Sequence, residues 1–141
     1  MDYKVLTGKQ DCLNRLMKIR FARYFDNFDL TAMQALTLEY IIERGKHGDV
    51  FPKDLETFLS IRGSSVTSLI NNLETLGYVK REPASFDGRY KRLVPTAKAT
   101  DIIDSISARI NEYTESLFVG IPEEELKTFE AVIEKMINNA K

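Results

Sequence analysis

Between Gly63 and Gly77 the chain reads GSSVTSLINNLETLG, and no other stretch restricts the fold as much. Val66, Leu69, Ile70, Leu73 and Leu76 recur at i, i+3, i+4, i+7 and i+10, which makes one apolar face of a helix. The opposite face carries Ser64, Ser65, Thr67, Ser68, Asn71 and Asn72, short hydrogen-bonding side chains with no carboxylate among them. Upstream, Pro52 suits the first position of a shorter helix, because its missing N–H costs nothing there. Leu55 and Leu59 give that helix a core face, with Phe58 beside it. Ser60-Ile61-Arg62-Gly63 is the turn, with Ile61 expected as a buried plug. A short helix, a tight turn and a longer helix make a helix-turn-helix. Gly77 closes the second helix. Tyr78–Glu82 and Lys91–Val94 are expected strands around the loop PASFDGR. A helix able to lie in a groove, followed by a basic hairpin, is the outline of a winged DNA reader.

The charge distribution agrees with that outline. The whole chain carries only −1, but residues 60–98 hold Arg62, Lys80, Arg81, Arg89, Lys91, Arg92 and Lys98 against Glu74, Glu82 and Asp87, a local +4 on a remainder of −5. Such a chain attracts phosphate at one face and repels it elsewhere. Arginine offers a planar fork that fits guanine or a narrow minor groove. Asparagine pairs with adenine, and Ser or Thr serves several bases or phosphates. The helix start at Gly63–Ser65 presents free N–H groups to a phosphate. The candidate DNA-binding residues are therefore Ser64, Ser65, Thr67, Ser68, Asn71 and Asn72 for the major groove, and Arg62, Lys80, Arg89 and Lys91 for backbone and minor groove. The plain alternative is a solvated helix face and a hairpin whose charges serve solubility.

On either side the pattern is helical. From Cys12 to Phe28, Leu13, Leu16, Met17, Phe21, Tyr24, Phe25 and Phe28 recur at helical spacing, more apolar surface than a protomer of 141 residues readily covers alone. Thr31 with Gln34 forms a capping box that starts the next helix. Ala32–Arg44 is apolar on several sides, as a buried central helix is, and Gly45 is its candidate cap. Val50-Phe51 is a candidate short strand beside the hairpin. Thr96 caps a helix reaching Phe118, with a stripe at Ile102, Ile106, Ile110, Tyr113 and Leu117. Glu123-Glu124-Glu125 begins a last helix, where acids complement the dipole; its apolar face is Leu126, Phe129, Ile133, Met136, Ile137 and Ala140. These faces make residues 1–29 and 97–141 a helical dimerisation part around a winged helix-turn-helix part at 30–96, one continuous domain. The fold class is mainly α with a small β-wing.

In this order of parts the chain resembles the MarR family of transcription regulators. LTAMQALTLEYIIER at 30–44 resembles the family helix that opens with Leu-Thr and a Gln three further on; SSVTSLINNLETLGYV at 64–79 resembles its recognition helix; DGRYKRLVPT at 87–96 resembles its wing. The resemblance implies a homodimer on an inverted-repeat operator in double-stranded DNA, with Arg89 in the minor groove, Asp87 orienting it and residues 64–72 in the major groove. It implies a repressor released by a small aromatic or phenolic ligand bound between the two parts. Ser68 and Asn72 stand where many members carry Arg, Ser60 replaces a common turn Gly, and Glu56 replaces a common small residue.

Other classes find little footing. A single cysteine, Cys12, excludes an intramolecular disulfide and a multi-cysteine zinc site, and fits a reducing cytoplasm. No leader pattern and no bilayer-length apolar run is visible, so a cytoplasmic protein with no membrane partner is expected. His47 stands alone in a polar turn, and no nucleophile–base pair, phosphate-cradling loop or metal-spaced cluster is present, so neither an enzyme nor a cofactor is expected. Two alternatives remain: a winged-helix adaptor that binds protein rather than DNA, and a redox-sensing regulator acting through Cys12, whose thiol Arg15 and Tyr113 would assist if the fold brings them near.

Overall fold

The computed structural model describes all residues, 1–141. Six helices and one hairpin follow in the order α1 (Tyr3–Arg23), α2 (Ala32–Gly45), α3 (Pro52–Leu59), α4 (Gly63–Thr75), β1 (Val79–Pro83), β2 (Lys91–Pro95), α5 (Ala97–Leu117) and α6 (Glu123–Ala140). The winged part packs on α2. The capping box forms in full: Thr31 Oγ1 accepts from Gln34 N at 3.2 Å, and Gln34 Oε1 accepts from Thr31 N at 3.0 Å. Ala35, Leu38, Ile41 and Ile42 of α2 then meet Leu55 of α3, Val66, Ile70 and Leu73 of α4, Val79 and Leu93 of the hairpin and Ile106 of α5 in one core. Each such large side chain contributes about 1.5–3 kcal/mol when fully withdrawn from water. The one buried polar side chain, Thr37, donates to Met33 O at 2.7 Å and so needs no outside partner.

The hairpin is antiparallel, with Val79 opposite Pro95 and Pro83 opposite Lys91. Its base is tied to the end of α4. Gly77 takes a left-handed φ of 85°, and Tyr78 N donates to Leu73 O at 2.9 Å, closing the helix. A side chain at Gly77 would be strained by roughly 1–2 kcal/mol. Thr96, the N-cap of α5, donates its hydroxyl to Gly77 O at 2.6 Å, and Lys98 Nζ donates to Leu76 O at 2.6 Å while lying 4.5 Å over the Tyr78 ring. The C-terminus of α4 is thereby fastened to the N-terminus of α5.

Several boundaries differ from the sequence expectation. The first helix runs from Tyr3 to Arg23, not from Cys12 to Phe28: Asp2 caps it through Lys4 N at 3.0 Å, and Phe25 and Phe28 lie in the turn that follows. The turn is held by ring edges, with Phe25 5.5 Å from Phe21 and 5.6 Å from Phe28. Gly45 is the last residue of α2 rather than its left-handed cap, and Lys46 caps the helix in an ordinary right-handed conformation. Val50-Phe51 forms no strand. Its one backbone bond to the hairpin is Leu93 N donating to Val50 O at 2.7 Å, because Pro52 starts α3 directly afterwards. Met33 is exposed, so α2 is not buried all round, and Ile61 is half-buried rather than a sealed plug. No helix is long and apolar enough to cross a membrane.

Candidate nucleic-acid interface

Burial of Val66, Ile70 and Leu73 turns the other side of α4 to solvent, and Ser64, Ser65, Thr67, Ser68, Asn71 and Asn72 are all exposed. Their hydrogen-bonding capacities are no longer equivalent. Thr67 Oγ1 donates to Gly63 O at 2.9 Å and Ser68 Oγ donates to Ser64 O at 3.2 Å, so both hydroxyls present lone pairs outward and meet donors best. Asn71 Oδ1 accepts from Arg81 Nη2 at 2.8 Å, which leaves its amide N–H groups as the freer end. The Asn72 side chain bonds no other protein group, and both ends of its amide are open to a two-point contact of the kind adenine offers.

The same sorting applies to the seven cations of residues 60–98. Arg81 Nη1 pairs with Glu74 at 2.6 Å. Arg92 spans Asp49 at 3.2 Å and Glu82 at 3.1 Å. Lys98 is spent on the end of α4. Arg62, Lys80, Arg89 and Lys91 remain exposed, and of these only Arg89 faces a carboxylate within ion-pair distance. Arg62 is the N-cap of α4 and uses no side-chain bond to cap it. Ahead of it Ser60 occupies the left-handed region at φ 53°, the conformation for which glycine is the ordinary choice.

The wing loop is built around Asp87. Its Oδ1 accepts from Arg89 N at 3.0 Å, and its carboxylate accepts from Arg89 Nε at 3.1 Å and Nη2 at 2.7 Å. The side-chain bond to Arg89, with the backbone bond second, holds the Asp87 carboxyl below the usual carboxylate range against a smaller opposing effect of desolvation. The same pair raises Arg89 above the ordinary arginine value. Despite this clamp the Arg89 side chain is 88% exposed, so the guanidinium is aimed but not covered. Lys91 Nζ donates to Gly88 O at 3.1 Å, which draws a second cation onto the loop.

Two features escaped the sequence reading. Arg81 joins the strand β1 to the polar face of α4 by bonding both Asn71 and Glu74; strand alternation alone did not single it out from Lys80. Glu56 reaches over the start of α4: a Cβ at Gly63 would lie 2.5 Å from Glu56 Oε1. The Glu56 carboxylate thus stands beside the start of α4, where a negative charge complements the helix dipole. Cys12 is exposed on α1, and Tyr113 packs instead on Phe21 at 4.7 Å and Tyr24 at 5.8 Å. Phe21 lies nine residues beyond Cys12, about 13 Å along the helix axis, so Tyr113 is not placed to assist that thiol. No group of three His, Cys, Asp or Glu side chains is arranged to hold a metal ion.

A helix-turn-helix whose second helix is polar outward, followed by a clamped basic hairpin, defines a winged helix-turn-helix protein. Residues 28–89, most of the winged part, match the sequence model of the MarR family. Over 94% of its length it is similar to 98% of the transcription regulator MarR from Oenococcus oeni PSU-1, at 27% identity and a TM-score of 0.78. It shares its fold over the full length of both chains with MepR of S. aureus, solved as a MepR–DNA complex, at 20% identity and a TM-score of 0.88. The reduced form of MarR from E. coli matches at 21% identity and a TM-score of 0.72, with 93% of this chain and 95% of that one covered.

Proposed function

We propose that this chain is a DNA-binding transcription regulator that acts as a homodimer on an inverted repeat, with α4 in the major groove and the wing in the minor groove. The observation that carries the reading is the sorting of charge. Structural ion pairs absorb Arg81 and Arg92, whereas Arg62, Lys80, Arg89 and Lys91 are left on the surface around an uncharged polar helix. MepR, which shares the fold, was solved as a complex with DNA, and this supports DNA binding. In this reading Asn72 and the amide of Asn71 contact bases, Ser64, Ser65, Thr67 and Ser68 accept or donate at base edges and phosphates, and Asp87 pre-sets Arg89 for the groove.

The homodimer is supported by the apolar residues left bare on α1 and α6, among them Leu16, Ile19, Phe129, Ile133 and Ile137. Two such units set one helical turn apart are what makes a short reading helix selective. Repression and release by a small aromatic or phenolic acid complete the reading. A cleft of about 290 Å³ between the end of α2, β2 and the start of α5 is lined by Ile42, Lys46, Val50, Arg92 and Thr100.

The test is Arg89→Ala against DNA from the region upstream of the protein's own gene. Binding weakens by roughly 1–3 kcal/mol if Arg89 reads a groove, and the salt slope falls by about one unit if it mainly meets phosphate. Unchanged affinity and slope rule out the wing contact. A chain that binds no sequence at any salt concentration is the adaptor that recognises protein instead.

A further inference from the structure

The wing loop brackets Asp87-Gly88-Arg89 with two aromatic side chains, Phe86 and Tyr90, which are 67% and 56% exposed. No charge pairing explains them, and a two-stranded hairpin does not need them for its register. Their rings lie 5.6 Å apart, and Phe86 meets Phe51 edge-on at 6.0 Å. Phe51 is the residue that caps α3, held by its N–H bond to Asp54 at 2.8 Å. A row of three rings therefore runs from the body of the winged part into the wing loop. The backbone beneath it is ordered as well: Ala84 N donates to Tyr90 O at 2.8 Å and Tyr90 N donates to Asp87 O at 3.1 Å, with Ala84 buried. These are braced aromatics on a fixed loop.

We propose that Phe86 and Tyr90 form an apolar contact surface for duplex DNA, packing against the deoxyribose walls of the minor groove on either side of Arg89. The proposal rests on the DNA-binding reading above and extends it from charge to shape. Continuity places the surface there, since both rings flank within one residue the three-residue turn that presents the exposed guanidinium. Charge agrees: the neighbouring carboxylates are paired, Asp87 with Arg89 and Glu82 with Arg92, whereas Lys91 adds a cation on the same loop. Sugar edges are the apolar part of a minor groove, and aromatic or aliphatic side chains at such positions respond to groove width and to how readily a base step opens. A second protein copy or another protein fits less well, because the rings are interleaved with groups suited to phosphate.

The test uses the full-length chain and a duplex selected by the unaltered protein from a random-sequence pool, with affinity measured across a range of salt concentrations. Phe86→Ala with Tyr90→Ala is expected to weaken binding roughly five- to tenfold, the scale of covering about half an exposed ring on each contact. That loss is the same at every salt concentration, because no counterion is released by an apolar contact. Arg89→Ala in parallel lowers the slope. Phe86→Leu with Tyr90→Leu, which keeps apolar volume on the loop, recovers most of the affinity and guards against a wing that simply loses its shape. Affinity equal to that of the unaltered protein overturns the proposal. So does a loss accompanied by a lowered slope, which makes the rings positioning residues for Arg89. An unaltered chain that selects no duplex from the pool overturns the DNA-binding reading itself, and the proposal with it.

Discussion

Fifteen of the eighteen buried residues lie within residues 30–96, whereas the flanks, residues 1–29 and 97–141, hold only Phe25, Ala99 and Ile106. The core thus lies mainly in the winged part, and α5 closes it with Ala99 and Ile106. The flanks are well-formed helices with little inside them. On α1, Val5, Leu6, Leu13, Leu16 and Ile19 are exposed; on α6, Phe129, Val132, Ile133, Met136 and Ile137 are exposed, and no residue of either helix is buried. One region presents the polar face of α4 on a largely internal core. The other has helical periodicity but leaves the apolar faces of α1 and α6 bare within the protomer. The difference is that apolar periodicity is satisfied inside the protomer in one region and left on its surface in the other.

The comparison is broken most directly at the shared core. Leu38→Ala empties a site at the centre of α2 and is expected to cost about 2–5 kcal/mol. Denaturant unfolding should show that cost in the whole chain, since α4, the hairpin and α5 all meet this helix; a loss confined to the flanks would mean that the winged part folds without α2. Next in size, Phe129→Asp with Ile133→Asp places charges on the bare face of α6. Sedimentation is expected to show monomers, and operator affinity should fall on the order of a hundredfold, because half a site is then read by one unit. A variant that stays dimeric would move the interface away from α6.

A smaller effect is expected at the turn before α4. Ser60→Gly relieves a left-handed serine and should raise stability by about 0.5–1 kcal/mol, partly offset by the greater freedom of glycine in the unfolded chain. A fall in the melting temperature would show that the Ser60 side chain contributes more than its backbone costs. The mildest test is local. The Asp87 carboxyl is held low in the folded wing, so its stabilising contact is fully present above the usual carboxylate range and is lost as pH falls through the lowered value. The Arg89 Nε chemical shift should therefore be constant near neutral pH and move only in acid. Asp87→Asn should remove the dependence; an unchanged acid response in that variant would assign the titration to another group.

Much of the winged part was legible because it obeys local rules. The Thr31–Gln34 capping box, Pro52 at a helix start, the Gly77 closure and the period of Val66, Leu69, Ile70 and Leu73 each act over a few residues, and each is found in place. The misses have one origin. The start of α1 was overlooked because Asp2 caps a first half that is apolar only in isolated positions, and its end was overrun because Phe25 and Phe28 continue the helical period while folding back as a ring-packed turn. Composition likewise counted Arg81, Arg92 and Lys98 with the other cations of residues 60–98, since a charge total does not register partners such as Asp49, forty-three residues before Arg92.

Periodicity, capping residues and the Asp-x-Arg turn by themselves determined the element order, the apolar and polar faces of the reading helix and the wing that follows it. Only the tertiary structure decided which cations remain free, which end of Asn71 is already occupied, that Glu56 stands over the start of α4, and that Phe51 braces the wing aromatics. The reason is range. A capping box or an amphipathic period is written within one helical turn, whereas an ion pair or a ring contact depends on distances between segments that meet only when the core around Leu38 and Ile106 has formed.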